Sequence, residues 1–265
     1  MKHIRTIINK EWSEVFKNRM VIMTMALLPL LFTALPLLML DLTTSSVPAI
    51  EGNVEASGLP QGFLSACEGM NANECTQIYV MNQFLLMFMM MPLIIPTTIA
   101  AYSIVGEKTT RSLEPLLATP ITTRELLAGK SLAAVIPGVL ITYAAFTVFL
   151  IGTFILKISP AVRGYLTSPV WILGILLLGP VLAVIATMFS IFISSKVSDP
   201  RVAEQVSSLV ILPLMLVLGF VLAGKLIING WFMLIAILVC ALAAVALLYL
   251  GTIIFDRENI LTKWK

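Results

Sequence analysis

Apolar residues run through the chain in six long blocks separated by short polar segments. The blocks are residues 21–40, 79–105, 131–156, 169–193, 202–223 and 231–255. Each reaches the roughly 20 mostly apolar residues that an α-helix needs to cross a bilayer. A membrane β-barrel would show alternating strands of about 10 residues instead, and none of the blocks alternates. The pattern predicts an all-α integral membrane protein, a single transmembrane domain over residues 1–265 with six transmembrane helices. A different period precedes the first block. Ile4, Ile7, Ile8, Trp12, Val15 and Phe16 recur at i, i+3 and i+4, with Lys2, Arg5, Lys10, Lys17 and Arg19 between them. Residues 1–19 are therefore expected to form an interfacial amphipathic helix, Trp12 at headgroup level and the cations toward anionic lipid. Phe255, Leu261 and Trp264 with flanking lysines predict a smaller anchor. The block 21–40 is longer than the apolar core of a cleavable signal, about 7–15 residues, so it is expected to be retained.

Composition narrows the function classes. Hydrophobic residues make up 59% and charged residues 12%, with a mean hydropathy of +1.00, against about 25% charged in a soluble domain. A globular soluble enzyme is excluded, and membrane lipid is the expected medium. The net charge of +3 is small and its cations are scattered, so no nucleic-acid partner is expected. Three cysteines and one histidine leave no basis for a metal site. All 31 charged residues lie outside the six blocks or within a turn of their ends. Of the basic residues, 14 fall on one side of the predicted membrane and 3, namely Lys157, Arg163 and Lys225, on the other. That bias predicts both termini on the cytoplasmic side of the cell membrane. Residues 41–78 then form a large extracytoplasmic loop, with five carboxylates and no Lys or Arg. Cys67 and Cys75 in that loop face an oxidising compartment and are expected to form a disulfide, while Cys240 in the sixth block is a packing residue.

Chemistry within the blocks is sparse. No ionisable side chain occupies the middle of any span, which argues against a proton-coupled carrier and against an intramembrane protease. Weakly polar residues remain, and Gln83, Thr97, Thr98, Tyr102, Ser207 and Ser208 are candidates to line a pathway. The bland alternative is that such residues hold helices together. Prolines at 29, 36, 92, 96, 137, 180 and 213 break several hydrogen-bond ladders inside the spans.

The most patterned polar stretch is 106–130, GEKTTRSLEPLLATPITTRELLAGK. Glu107 and Arg111 form an i,i+4 pair, and Leu113, Leu116 and Leu117 make an apolar stripe one turn long. Thr119-Pro120 then stops the helix. Thr122 and Glu125, in the Thr-x-x-Glu pattern, restart it as a capping box. Simple connection of two spans would need far fewer residues.

These elements resemble the loop between the second and third helices of ABC type-2 permeases, the membrane subunits of one class of ATP-binding-cassette exporter. The shared features are Glu107 with a following basic residue, Leu113-Glu114, Leu116-Leu117, Thr119-Pro120, the capping box at Thr122, and Gly129-Lys130. Six spans, a surface helix before them and a large first loop fit as well, and the sodium-export branch is the most similar. Arg111 departs from the small residue common there, and the connection 224–230 is shorter than in some relatives. The resemblance implies that 106–130 is a cytosolic coupling loop docking a separate ATPase, with Glu107, Lys108, Arg111, Leu113, Glu114, Leu116 and Leu117 at the contact. It further implies a second permease chain in a homodimer or heterodimer, two ATPase copies, and ATP with magnesium held by those partners. No cofactor is expected in this chain. Its Gly129-Lys130 has Arg124 where a phosphate-binding loop needs its first glycine, so this chain is expected to be no enzyme and to have no catalytic residue. The competing reading is a stand-alone ion channel or sodium-coupled carrier.

Overall fold

A computed structural model describes residues 2–17, 19–46, 63, 71–109, 122–197 and 199–254. Among the described residues there is no strand, and six helices are long and apolar enough to cross a membrane. The protein is an all-α multi-pass membrane protein. An amphipathic helix α1 (Lys2–Val15) leads into the first span, α2 (Arg19–Ser46). The second span, α3 (Ala72–Thr109), has 38 residues. Such a helix is about 57 Å long, well beyond the roughly 30 Å hydrocarbon core, so it projects from the membrane. The third span is α4 (Thr123–Ile155). Its start is the expected capping box: Glu125 N–H donates to the Thr122 hydroxyl, and Thr122 N–H donates to the Glu125 carboxylate.

After α4 the chain turns through Lys157 at a positive φ of 54° and forms a seven-residue helix, α5 (Pro160–Leu166). The hydropathy pattern did not predict this element, because its Pro, Arg and Gly read as a polar connection. Ser159 caps it and also donates to Glu74 at the start of α3, tying α5 to the second span. The fourth span is α6 (Pro169–Leu173), a π-helical segment (Gly174–Leu178) and α7 (Gly179–Lys196) in succession. The fifth is α8 (Pro200–Ser207), a 3-10 turn (Ser208–Ile211) and α9 (Leu212–Leu222), and the sixth is α10 (Gly230–Ile254).

Helix α3 is the axis of the fold. In its most apolar 18 residues 83% are buried inside the protein, against 11% in the fifth and sixth spans. It packs along α7 and α4, and also meets α2, α8 and α9. Close approach to α4 depends on Gly138, where a Cβ would lie 2.5 Å from Pro96 Cγ. The core is closed by an aromatic cluster in which Trp171 stacks on Phe146 and Phe149 and meets Phe88 edge-on.

Candidate functional site

Among the described residues, a dense polar arrangement lies at one end of the bundle, where α1 docks against the last turns of α3 and the first turns of α4. Helix α1 buries Ile7, Glu11 and Val15, positions four apart on one face. Ile7 meets α4 at Gly129, where a Cβ would sit 2.8 Å from Ile7 Cγ2, so only glycine admits this approach. One turn on, the Glu11 carboxylate meets the Lys130 ammonium at 2.8 Å, the two side chains 2% and 6% exposed. Lys130 also donates to the Ser103 hydroxyl of α3 at 2.8 Å. One buried cation thus joins three helices. A buried charge costs free energy unless it is paired and hydrogen-bonded, and this one is both.

Trp12 provides a second tie. Pro137 has no N–H, so the carbonyl four residues before it, on Ala133, lacks its helical donor. The Trp12 indole Nε1–H donates to that carbonyl at 3.0 Å. Trp12, expected at headgroup level, is thus also tied to the bundle, at the start of the third span. Phe16 is 52% exposed and lies off the face that Ile7, Glu11 and Val15 turn to the bundle.

Beside this corner, α8 packs its Ala203 on Ala101 and Val105 of α3. Asp199 caps α8 by accepting from Arg201 N–H at 2.8 Å. Glu204 of the same helix accepts from the Thr98 hydroxyl at 3.0 Å, and the Ser190 hydroxyl of α7 donates to the Thr97 carbonyl at 3.1 Å. Polar contacts therefore continue from the corner into the bundle, leaving α3 toward α4, α7 and α8 in turn.

Thr97, Thr98 and Ser207 are buried, with the Ser207 hydroxyl lacking a partner among the described residues. Gln83 is half-buried, while Tyr102 and Ser208 are exposed. These six do not form one cluster: Thr97 and Thr98 bond to neighbouring helices, and the Ser208 hydroxyl turns back to the Gln205 carbonyl. Glu107 and Lys108 fall in the last turn of α3, whereas Arg111, Leu113, Glu114, Leu116 and Leu117 lie outside the described residues. Cys75 is disulfide-bonded and Cys240 is free, and Cys67 lies outside the described residues. Among the described residues no three His, Cys, Asp or Glu side chains gather in a way that would hold a metal ion.

The chain matches the model of the ABC-2 family transporter protein over residues 5–229. It belongs to the ABC-2 transporter family. The match begins inside α1 and runs through the fifth span, so it includes the corner built by Glu11, Ser103 and Lys130. An ABC-2 protein is the membrane component of an ATP-binding-cassette exporter and not itself the ATPase, and the family implies an ABC ATPase partner. None of the curated proteins matches the chain.

Sequence reasoning missed Glu11, Ser103 and Lys130 as a unit. One signal was available: Glu11 stands four residues after Ile7 and four before Val15, inside the apolar stripe of an otherwise basic-faced helix. A carboxylate there needs a buried cation, and which cation is a tertiary fact.

Proposed function

We propose that this ABC-2 permease forms the substrate pathway of an exporter as a dimer, driven by two copies of a separate ABC ATPase that holds ATP and magnesium. The ATPase docks on residues 106–120, with Leu113, Leu116 and Leu117 as an apolar knob and Glu107, Lys108, Arg111 and Glu114 as its charged rim. Both termini and this loop lie on the cytoplasmic side of the cell membrane, in keeping with the distribution of Lys and Arg. Cys67 is the partner of Cys75 in the outer loop. Tyr102 and Ser208, the exposed members of the candidate set, face the pathway.

One observation carries the coupling reading. The ion pair of Lys130 with Glu11, shared with Ser103, sits where the helices on either side of the loop meet α1. A force applied to the loop reaches α3, α4 and α1 together, because their ends are fixed to one another. The reading is tested with Leu116→Asp and Leu117→Asp combined. The variant is expected to insert normally and to lose co-purification of the ATPase. Undiminished ATPase association and transport would overturn the docking assignment, and transport in vesicles without nucleotide or partner would favour the channel or carrier.

A further inference from the structure

A cavity of about 520 Å³ lies between α3, the fourth span, the fifth span and α10. Met89, Leu178, Val217 and Met233 are among its walls, and every lining residue is apolar apart from the thiol of Cys240. Two helical irregularities stand beside it. The π segment contributes Leu178 from one side, and the 3-10 turn contributes Leu209 and Val210 from another. Regular α-helices at both places would present different side chains to this space, and π segments of this kind often mark functional sites. The volume falls in the range of small-ligand sites, about 300–1,000 Å³.

The cavity opens sideways. Two of its lining residues, Leu209 and Val239, are 51% and 58% exposed. Val239 is the tenth residue of the 25-residue span α10, so the opening lies at the depth of the hydrocarbon core. The surface on either side is apolar and open: Leu216 and Phe220 on α9, Leu238 and Leu242 on α10 are all exposed. The cavity is thus a recess opening at hydrocarbon depth, with no charge and only the Cys240 thiol, a weak hydrogen-bonding group, to meet a polar ligand.

We infer that this recess binds one acyl chain of a bilayer lipid, inserted between Leu209 and Val239. A hydrocarbon chain matches the lining, is present at that depth, and is thin enough to thread between two spans. A second copy of the protein would lay a helix of about 10–12 Å diameter across the opening and leave the interior unfilled.

The test uses the full chain reconstituted in vesicles of phosphatidylethanolamine and phosphatidylglycerol, a fraction of which carries a photoactivatable diazirine near the acyl terminus. After irradiation, adducts on the cavity residues Val217, Met233 and Cys240 are expected to exceed those on the outward residue Leu242 at least fivefold. Ala236→Phe fills the recess and is expected to reduce the cavity adducts to the Leu242 level. Ala246→Phe adds the same volume on the exposed face of α10 and is expected to change nothing. Ala243→Phe, at the exposed edge of the recess, carries the same expectation and serves if Ala236→Phe does not insert. Cavity adducts no higher than those at Leu242, or unchanged in both filling variants, would overturn the assignment. So would crosslinking of two copies through Cys240 in place of lipid adducts.

Discussion

Three prolines interrupt spans in the same way and are answered in two different ways. Each removes an N–H and leaves the carbonyl four residues earlier without its helical donor. Pro137 frees Ala133, Pro180 frees Leu176, and Pro213 frees Leu209. In the third span the Trp12 indole takes the Ala133 carbonyl at 3.0 Å. In the fourth the Tyr143 hydroxyl donates to the Leu176 carbonyl at 3.0 Å. In the fifth span, among the described residues, the answer is local: Leu212 N–H turns back to the Leu209 carbonyl in a 3-10 turn. A freed carbonyl beside another helix becomes a connector, because hydrocarbon offers no water to satisfy it. A freed carbonyl on a loosely packed span is closed locally, and the space beside it stays open.

The seam between α1 and α4 is the strongest form of the connector, so breaking it should have the largest effect. Lys130→Met leaves the Glu11 carboxylate buried without its cation, and loss of one partner of a buried pair costs about 3–5 kcal/mol. A large fall in the unfolding midpoint of the purified protein is expected, with partial recovery when Glu11→Leu is added. No change in midpoint would show that α1 is not held by this pair. The next effect in size is Trp12→Phe, which leaves the Ala133 carbonyl unsatisfied at about 1–3 kcal/mol. Adding Pro137→Ala returns an N–H to the ladder and should cancel most of that loss. If the double variant is no more stable than Trp12→Phe alone, the indole serves some purpose other than that carbonyl.

The positions of the freed carbonyls were legible in the sequence, since each is fixed by a proline. Their donors were not. Trp12 lies 121 residues from Ala133 and Tyr143 lies 33 from Leu176, and periodicity carries no information at those separations. The six spans, the amphipathic α1 and the capping box at Thr122 were readable because each depends on neighbours within a few turns. Hydropathy did not separate α3, which is mostly buried, from α10, which is mostly exposed, because lipid and protein interior are equally apolar. The π segment was invisible for a related reason: one extra residue in a wholly apolar run shifts no polar position. In the candidate site, Glu11 drew no role from the sequence, because the helix was taken to face lipid alone.

Tyr143→Phe is the gentler test of the connector in the fourth span. The hydroxyl bridges α4 to the π segment, and interhelical hydrogen bonds of this kind average about 0.6 kcal/mol in membranes. A small fall in unfolding midpoint is expected, well below that of Trp12→Phe. An effect equal to or larger than that of Trp12→Phe would mean that burial of the freed carbonyl does not set the size of the loss.

Pro213→Ala should change stability least and geometry most. The restored N–H can bond the Leu209 carbonyl in the α pattern, so little hydrogen-bonding energy is at stake and the midpoint should stay within about 0.5 kcal/mol of the original. The 3-10 turn over Ser208–Ile211 is four residues long. Converting it to α changes the winding from 3.0 to 3.6 residues per turn, about 20° per residue and about 80° in total. Helix α9 would then present a different face to α3 and α10, and Val217 would leave the recess wall. The expected result is an unchanged midpoint together with a loss of acyl-chain adducts at Val217. Loss of both would mean that the 3-10 turn is part of what holds the fifth span in place. Retention of both would mean that the turn is set by packing against α3, with the proline fitting a bend that exists without it.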